Sequence, residues 1–229
     1  MWLVAEYQPV TLFSFRSGTS TSSGAKTLFS PTPFAIRTAL LDAAIRTRGV
    51  EDGRAAFEYI KNIRIALRLP ERVVVTNLFA KVLKPTRKKK EEPEEPMDRS
   101  IAFREYAYLD GNLALAFETT KERAGDLRLL LAQVNYFGKR GSFFQLLRSP
   151  ELMDALPEDF MRLDEVESTF VLGSIIQVMD DWGDSMNFAK VNIYSDEKIR
   201  LGEDRVQKHL VLPYRLVRAS KGFSYYERI

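Results

Sequence analysis

Asn135-Tyr136-Phe137-Gly138-Lys139-Arg140-Gly141-Ser142-Phe143-Phe144 is the stretch on which the fold turns. It follows a helical pattern beginning near Lys121, in which Leu127, Leu130, Leu131 and Val134 share one face, and it leads into a strand over 142–147. Its two glycines let a backbone come close to a phosphate and turn amides toward it. Lys139 and Arg140 add two adjacent positive charges, and the aromatic pairs on either side can stack on unpaired bases. The same residues also suit a plain helix C-cap, with Gly138 left-handed and both cations in water. This is not a phosphate-binding Walker loop, because Gly-Lys is not followed by Ser or Thr, and no Gly-x-Gly-x-x-Gly occurs anywhere. Gly138-x-x-Gly141 matches the short loop of KH domains, a motif too brief to be specific.

Upstream of that stretch, residues 2–15 are rich in β-branched and aromatic side chains and read as a strand bent at Pro9. Residues 16–26 are small and polar, a loop containing Arg16, Ser17 and Lys26. Ser30-Pro31 supplies a cap and a first-turn proline for a helix carrying Phe34, Ile36, Arg37, Ala39 and Leu40. A second amphipathic pattern runs over 51–67 and stops before Pro70. Residues 72–84 and 101–109 read as one antiparallel ribbon, and Asp110-Gly111 as a hairpin turn into a strand over 113–117. The separator within the ribbon holds Arg87, Lys88, Lys89 and Lys90 followed by four glutamates, with no large apolar group, so it is expected to be solvated. Beyond 150, strand-like segments fall at 168–179, 188–194 and 209–217.

In order, the first 150 residues give strand, helix, strand, strand, helix, strand. The expected fold is therefore α+β: a ferredoxin-like domain of the RRM type over 1–150, followed by a small β-rich C-terminal extension over 151–229. The hairpin insertion occupies 72–120, with 86–98 flexible. Such a sheet leaves one face open, and RNA-recognition modules hold single strands on that face and its loops.

Composition narrows the chemistry. Without cysteine there are no disulfides, thiolate nucleophiles or usual structural zinc sites, and a single histidine removes histidine-rich metal sites. No apolar run reaches the length needed to span a bilayer, so a cytoplasmic location with no membrane partner is expected. The net charge of +3 conceals an asymmetry: residues 1–90 carry +10, 91–190 carry −10 and 191–229 carry +3. A basic portion beside an acidic one suits a polyanion on one face and a protein neighbour on the other.

A glycine-rich loop between the second helix and the last strand of a ferredoxin-like unit resembles the repeat-associated (RAMP) CRISPR proteins. Within them the chain looks like the Cas-five family, the Cascade subunit that caps the 5′ end of the guide RNA. The resemblance covers roughly residues 1–150. It extends to the first strand ending in Phe15-Arg16, the Ser/Thr/Gly loop, the helix opening Ser30-Pro31-Thr32-Pro33-Phe34-Ala35-Ile36-Arg37, and a hairpin like that family's thumb. It implies a non-catalytic subunit, needing no cofactor or metal, that holds the repeat-derived 5′ tag of the crRNA. It also implies contact with the large Cascade subunit and the backbone subunit, with target DNA nearby in the assembled complex. On that reading Arg16, Ser17, Lys26, Arg37, Lys139 and Arg140 contact phosphates across the Gly138 and Gly141 loop. Tyr136, Phe137 and Phe143 stack on bases, although alternation sends one of Phe143 and Phe144 inward. Arg87, Lys88, Lys89 and Lys90 contact RNA or a neighbouring subunit.

Three other readings compete. Some members of the family cleave the guide precursor themselves, and related processing subunits commonly use histidine as general acid or base. Here His209 lies in a late strand-like segment, leaving Tyr7, Tyr136 and a lysine as an unusual alternative. Asp180-Asp181 followed by Asp184 could hold Mg²⁺ as in palm domains, yet no third upstream carboxylate is convincingly placed. Finally, the charge asymmetry could serve protein docking alone.

Overall fold

The computed structural model describes residues 1–18, 20, 24–85, 97–164, 171–192 and 195–229. Along the chain come β1 (Trp2–Pro9), β2 (Phe15–Arg16), β3 (Gly24–Ala25), β4 (Thr27–Leu28), α1 (Pro33–Arg48), α2 (Val50–Asn62), β5 (Ile65–Arg68), β6 (Arg72–Pro85), β7 (Met97–Leu109) and β8 (Leu113–Glu118). After them come α3 (Lys121–Gln133), β9 (Phe144–Leu146), β10 (Glu151–Met153), β11 (Met161–Arg162), β12 (Ile175–Trp182), α4 (Phe188–Val191), β13 (Arg205–Leu212), β14 (Tyr214–Ala219) and β15 (Phe223–Arg228). The α+β class is as the sequence indicates.

The main sheet runs β10-β1-β8-β5-β11, with β9 also paired to β1. Leu3 faces Phe117, Ala5 faces Leu115 and Tyr7 faces Leu113 across β1 and β8. The sequence of β8 explains its central place. Leu113, Leu115 and Phe117 point into the core with Ile36, Leu40, Leu127, Leu130 and Leu131 of the helices. Ala114 and Ala116, on the opposite face, join Trp2, Ala66 and Phe160 in a smaller cluster. Phe160 and Leu156 of the connection after β10 pack there, so the sheet face expected to stand open is partly covered.

α1 begins two residues later than the Ser30-Pro31 cap suggests. Thr32-Pro33 repeats the same dipeptide logic, and it is Thr32 Oγ1 that accepts from the Ala35 amide at 3.2 Å. The second helical pattern also ends early. α2 stops at Asn62, and 65–68 form β5, whose Ile65 and Leu67 pair with Phe117 and Leu115 of β8. Residues 113–117 do not fold back on β7: β7 pairs with β6, while β8 pairs with β1 and β5. The Asp110-Gly111 turn is thus a crossing between sheets rather than a hairpin.

The ribbon of β6 and β7 is in register from Val73 opposite Leu109 to Pro85 opposite Met97. Met97 and Asp98, which the sequence groups with the flexible tip, are therefore strand residues. Residues after 150 return to both sheets: β10 and β11 join the first, and β15 extends the ribbon through β6. β12 and β13 form a separate antiparallel pair against the helices, where Trp182 stacks on Phe57 at 5.0 Å. The strand expected over 188–194 is instead the short helix α4, capped by the Asn187 side chain on the Lys190 amide. Among the described residues, no helix is long and apolar enough to cross a membrane.

Candidate nucleic-acid interface

α3 ends at Gln133, and the chain turns back on itself through a loop closed by the backbone. Phe144 N donates to Asn135 O at 2.9 Å and Ser142 N donates to Lys139 O at 3.2 Å. Gly138 and Gly141 take φ of +62° and +104°, the left-handed region that glycine enters without penalty. The turn sends alternate side chains to opposite destinations. Phe137 is 1% exposed, edge-on to both Tyr7 and Phe144 at 5.4 Å, whereas Phe143 is 45% exposed. Phe137 is therefore a core residue, not a base-stacking one. Lys139 and Arg140 are exposed at the loop's tip.

The loop forms one wall of a groove of about 400 Å³. Tyr136, Gly138 and Lys139 come from the loop; Ser14, Phe15 and Arg16 from the entry to β2 and β2 itself; and Phe34, Thr38 and Asp42 from α1. A Cβ at Gly138 would lie 3.7 Å from the Ala35 Cβ and 3.8 Å from the Phe15 ring, in ordinary contact, so it is the positive φ and not lack of space that favours glycine there. Arg205 of β13 closes one end, its guanidinium 4.6 Å above the Phe34 ring and paired with Asp180. Of the expected site residues, the fold thus gathers Arg16, Tyr136, Gly138 and Lys139, with Arg140 and Gly141 beside them on the same loop.

Others fall elsewhere. Arg37 is 7% exposed; its Nε donates to Asp181 Oδ1 at 2.8 Å, and its Nη1 to the carbonyls of Ile60 at 2.5 Å and Ile63 at 2.9 Å. Its donors serve the interior, so it is not a phosphate ligand. Lys26 is exposed between β3 and β4, outside the groove lining, and Ser17 is half-buried just beyond β2. Arg87, Lys88, Lys89 and Lys90 lie outside the described residues. The sequence reading missed Thr38, Asp42 and Arg205. Phe34, Thr38 and Asp42 recur every four residues on one face of α1, a signal that periodicity offered. Arg205, from a distant strand, gave none.

The alternative chemistries find different surroundings. Asp180 is held by Arg205, while Asp181 is held by Arg37 and by Lys208 at 3.1 Å. The Tyr7 hydroxyl donates to Leu131 O at 2.8 Å, and burial pushes its pKa up, which removes it as an acid–base group. His209 is exposed on β13 opposite Val178, away from the groove lining.

No family model matches the sequence. A curated protein named CRISPR-associated protein Cas5, from Archaeoglobus fulgidus, is 29% identical over 116 residues, which is 50% of this chain and 50% of that one. The match thus spans about half the length of the curated relative. Among solved structures, a chain titled CRISPR RNA-guided surveillance complex is 15% identical with a TM-score of 0.48, covering 92% of this chain and 90% of that one. Another, titled Crystal structure of Cas protein, is 15% identical with a TM-score of 0.41 and covers 92% and 94%. The protein is a mixed α+β chain with a loop-walled groove, similar in sequence to a CRISPR-associated protein. The resemblance to the Cas5 family read from its residues is borne out by a curated relative of that name.

Proposed function

We propose that this chain is a non-catalytic subunit of a type I-like CRISPR interference complex that holds the repeat-derived 5′ tag of the crRNA and docks against neighbouring subunits. The observation that carries the proposal is the convergence of Arg16, Tyr136, Gly138 and Lys139, from opposite ends of the first 150 residues, on one groove. Cations, an aromatic side chain and glycine amides in one concavity suit a single-stranded polyanion. The covered sheet face supports binding at the loops rather than across the strands. The strand arrangement supports a ferredoxin-like reading, because β8 lies between β1 and β5, and β1 lies between β8 and the β9 and β10 pair. In that reading the β6 and β7 ribbon is the thumb.

The test is fluorescence anisotropy of the purified chain with repeat-derived and scrambled single-stranded RNAs over a salt series, each sample then run on a denaturing gel. Tight binding of intact repeat RNA is the expected result. A discrete cleavage product formed in EDTA makes the chain an endoribonuclease instead. Absence of binding at low salt, both alone and with co-expressed neighbours, reduces it to a protein-docking module.

A further inference from the structure

One feature of the groove is not used by gripping a phosphate chain. Asp42 lines it, and a carboxylate there repels phosphates rather than attracting them. Its Oδ2 accepts from Arg46 Nε at 2.8 Å, but a carboxylate offers about four lone-pair sites, so most of its accepting capacity is left for a ligand.

That carboxylate fits a base, not only a backbone. A carboxylate accepts from an exocyclic amine, as it does from the N4 amine of cytosine, whereas uracil sets a carbonyl oxygen, an acceptor, at the same position. Tyr136 and Phe34 line the groove, Arg205 lies over the Phe34 ring, and Lys139 and Arg16 add positive charge to the lining. A cavity of about 400 Å³ falls within the range of small-ligand sites. We infer that the groove seats one unstacked nucleotide whose base carries an exocyclic amine: Asp42 accepts from the amine, and Lys139 and Arg16 take its phosphate. The inference rests on the RNA-binding function proposed above and adds base selectivity to it.

Anisotropy titrations of the full chain with oligo(rC) and oligo(rU) of equal length, at one salt concentration, test it against the Asp42→Asn variant. Wild type is expected to favour oligo(rC) by roughly tenfold, the discrimination that one base-edge contact provides. Asp42→Asn, whose amide can both donate and accept, is expected to bring the ratio close to one. The exposed Asp42 and Arg46 pair joins neighbouring turns of one helix, so this variant keeps the fold. An equal preference in wild type, or one that Asp42→Asn leaves unchanged, overturns the base-reading assignment while RNA binding itself stands. Failure to bind either RNA overturns the RNA-binding function, and the inference falls with it.

Discussion

Arg37 Nε meets Asp181 Oδ1 at 2.8 Å across 144 positions of chain, joining α1 to β12 in a contact where both side chains are almost wholly buried. Asp181 also accepts from the Trp182 amide and from Lys208 Nζ, and Arg37 bonds the carbonyls at the end of α2, so every charge in the cluster has partners. The cluster fixes the β12 and β13 pair against the helices, and Arg205, which closes the groove, sits on that pair.

Arg37→Ala leaves the Asp181 carboxylate with only Lys208 and the backbone. Removing one member of a buried pair costs about 3–5 kcal/mol, so urea denaturation is expected to show a large loss of stability. The salt dependence of RNA binding by the remaining folded protein is expected to match wild type. A lower slope would make Arg37 a phosphate contact after all.

Asp204 is a second buried carboxylate with a defined pH signature. Its side chain accepts from Lys190 Nζ at 2.7 Å and from the Arg200 amide at 2.8 Å, and its carbonyl accepts from Gly183 N, closing the turn before β13. The hydrogen bond from Lys190, followed by that from the Arg200 amide, holds its pKa below the ordinary carboxylate value. A depressed folded-state pKa gives stability that is present above the unfolded-state pKa and is lost as pH falls through the folded one. Melting temperatures of wild type and Asp204→Asn are therefore expected to differ near neutrality and to converge in acid. A gap independent of pH would remove ionisation from the explanation.

Much of this architecture is written in local pattern. The size alternation of Leu113-Ala114-Leu115-Ala116-Phe117 marks a strand covered on both faces, and Phe143 and Phe144 split between solvent and core as alternation requires. The start of β5 is less legible, because Phe57 and Ile60 keep helical spacing while Ile63, Ile65 and Leu67 switch to period two without a turn residue between them. The role of Arg37 is not legible at all. Nothing near it distinguishes an arginine bound for water from one bound for an aspartate 144 positions later. The groove was half legible: its loop wall is a compact motif and the Phe34, Thr38 and Asp42 face shows in the periodicity of α1, but Arg205 belongs to it only once β13 is packed.

Residues 86–96 contain no large apolar side chain, and both flanking strands pair up to Pro85 and Met97. Replacing 86–96 with Asn-Gly gives the two strands a two-residue turn of the favoured type. The melting temperature is expected to stay within a degree or two of wild type, since nothing removed can contribute to a core. A large loss would show that the segment packs on the body of the protein.

Phe137 and Phe143 are close in sequence and opposite in consequence. Phe137→Ala empties a fully buried site against Tyr7 and Phe144, so it is expected to cost about 3–5 kcal/mol of stability. Phe143→Ala removes an exposed ring and is expected to leave stability within about 0.5 kcal/mol, while weakening RNA binding if the ring carries a base. Stacking on one base is worth about 1–3 kcal/mol by alanine substitution. Unchanged RNA affinity in Phe143→Ala would remove that ring from the proposed interface.

Lys139 and Arg140 decide whether the loop meets RNA through its charges. Both are exposed at the tip, and neither makes an ion pair within the protein among those formed by the described residues. Replacing both with alanine therefore disturbs no internal pair, and the fold is expected to survive. Each phosphate that a cation neutralises releases condensed counterions, so the log–log slope of affinity against salt is expected to flatten by about one for every phosphate left without its cation. Of the two cations only Lys139 lines the groove, so Lys139→Ala alone is expected to account for at least half the change. An unaltered slope in the double variant would move the RNA off this loop, and the groove would lose its claim to the backbone.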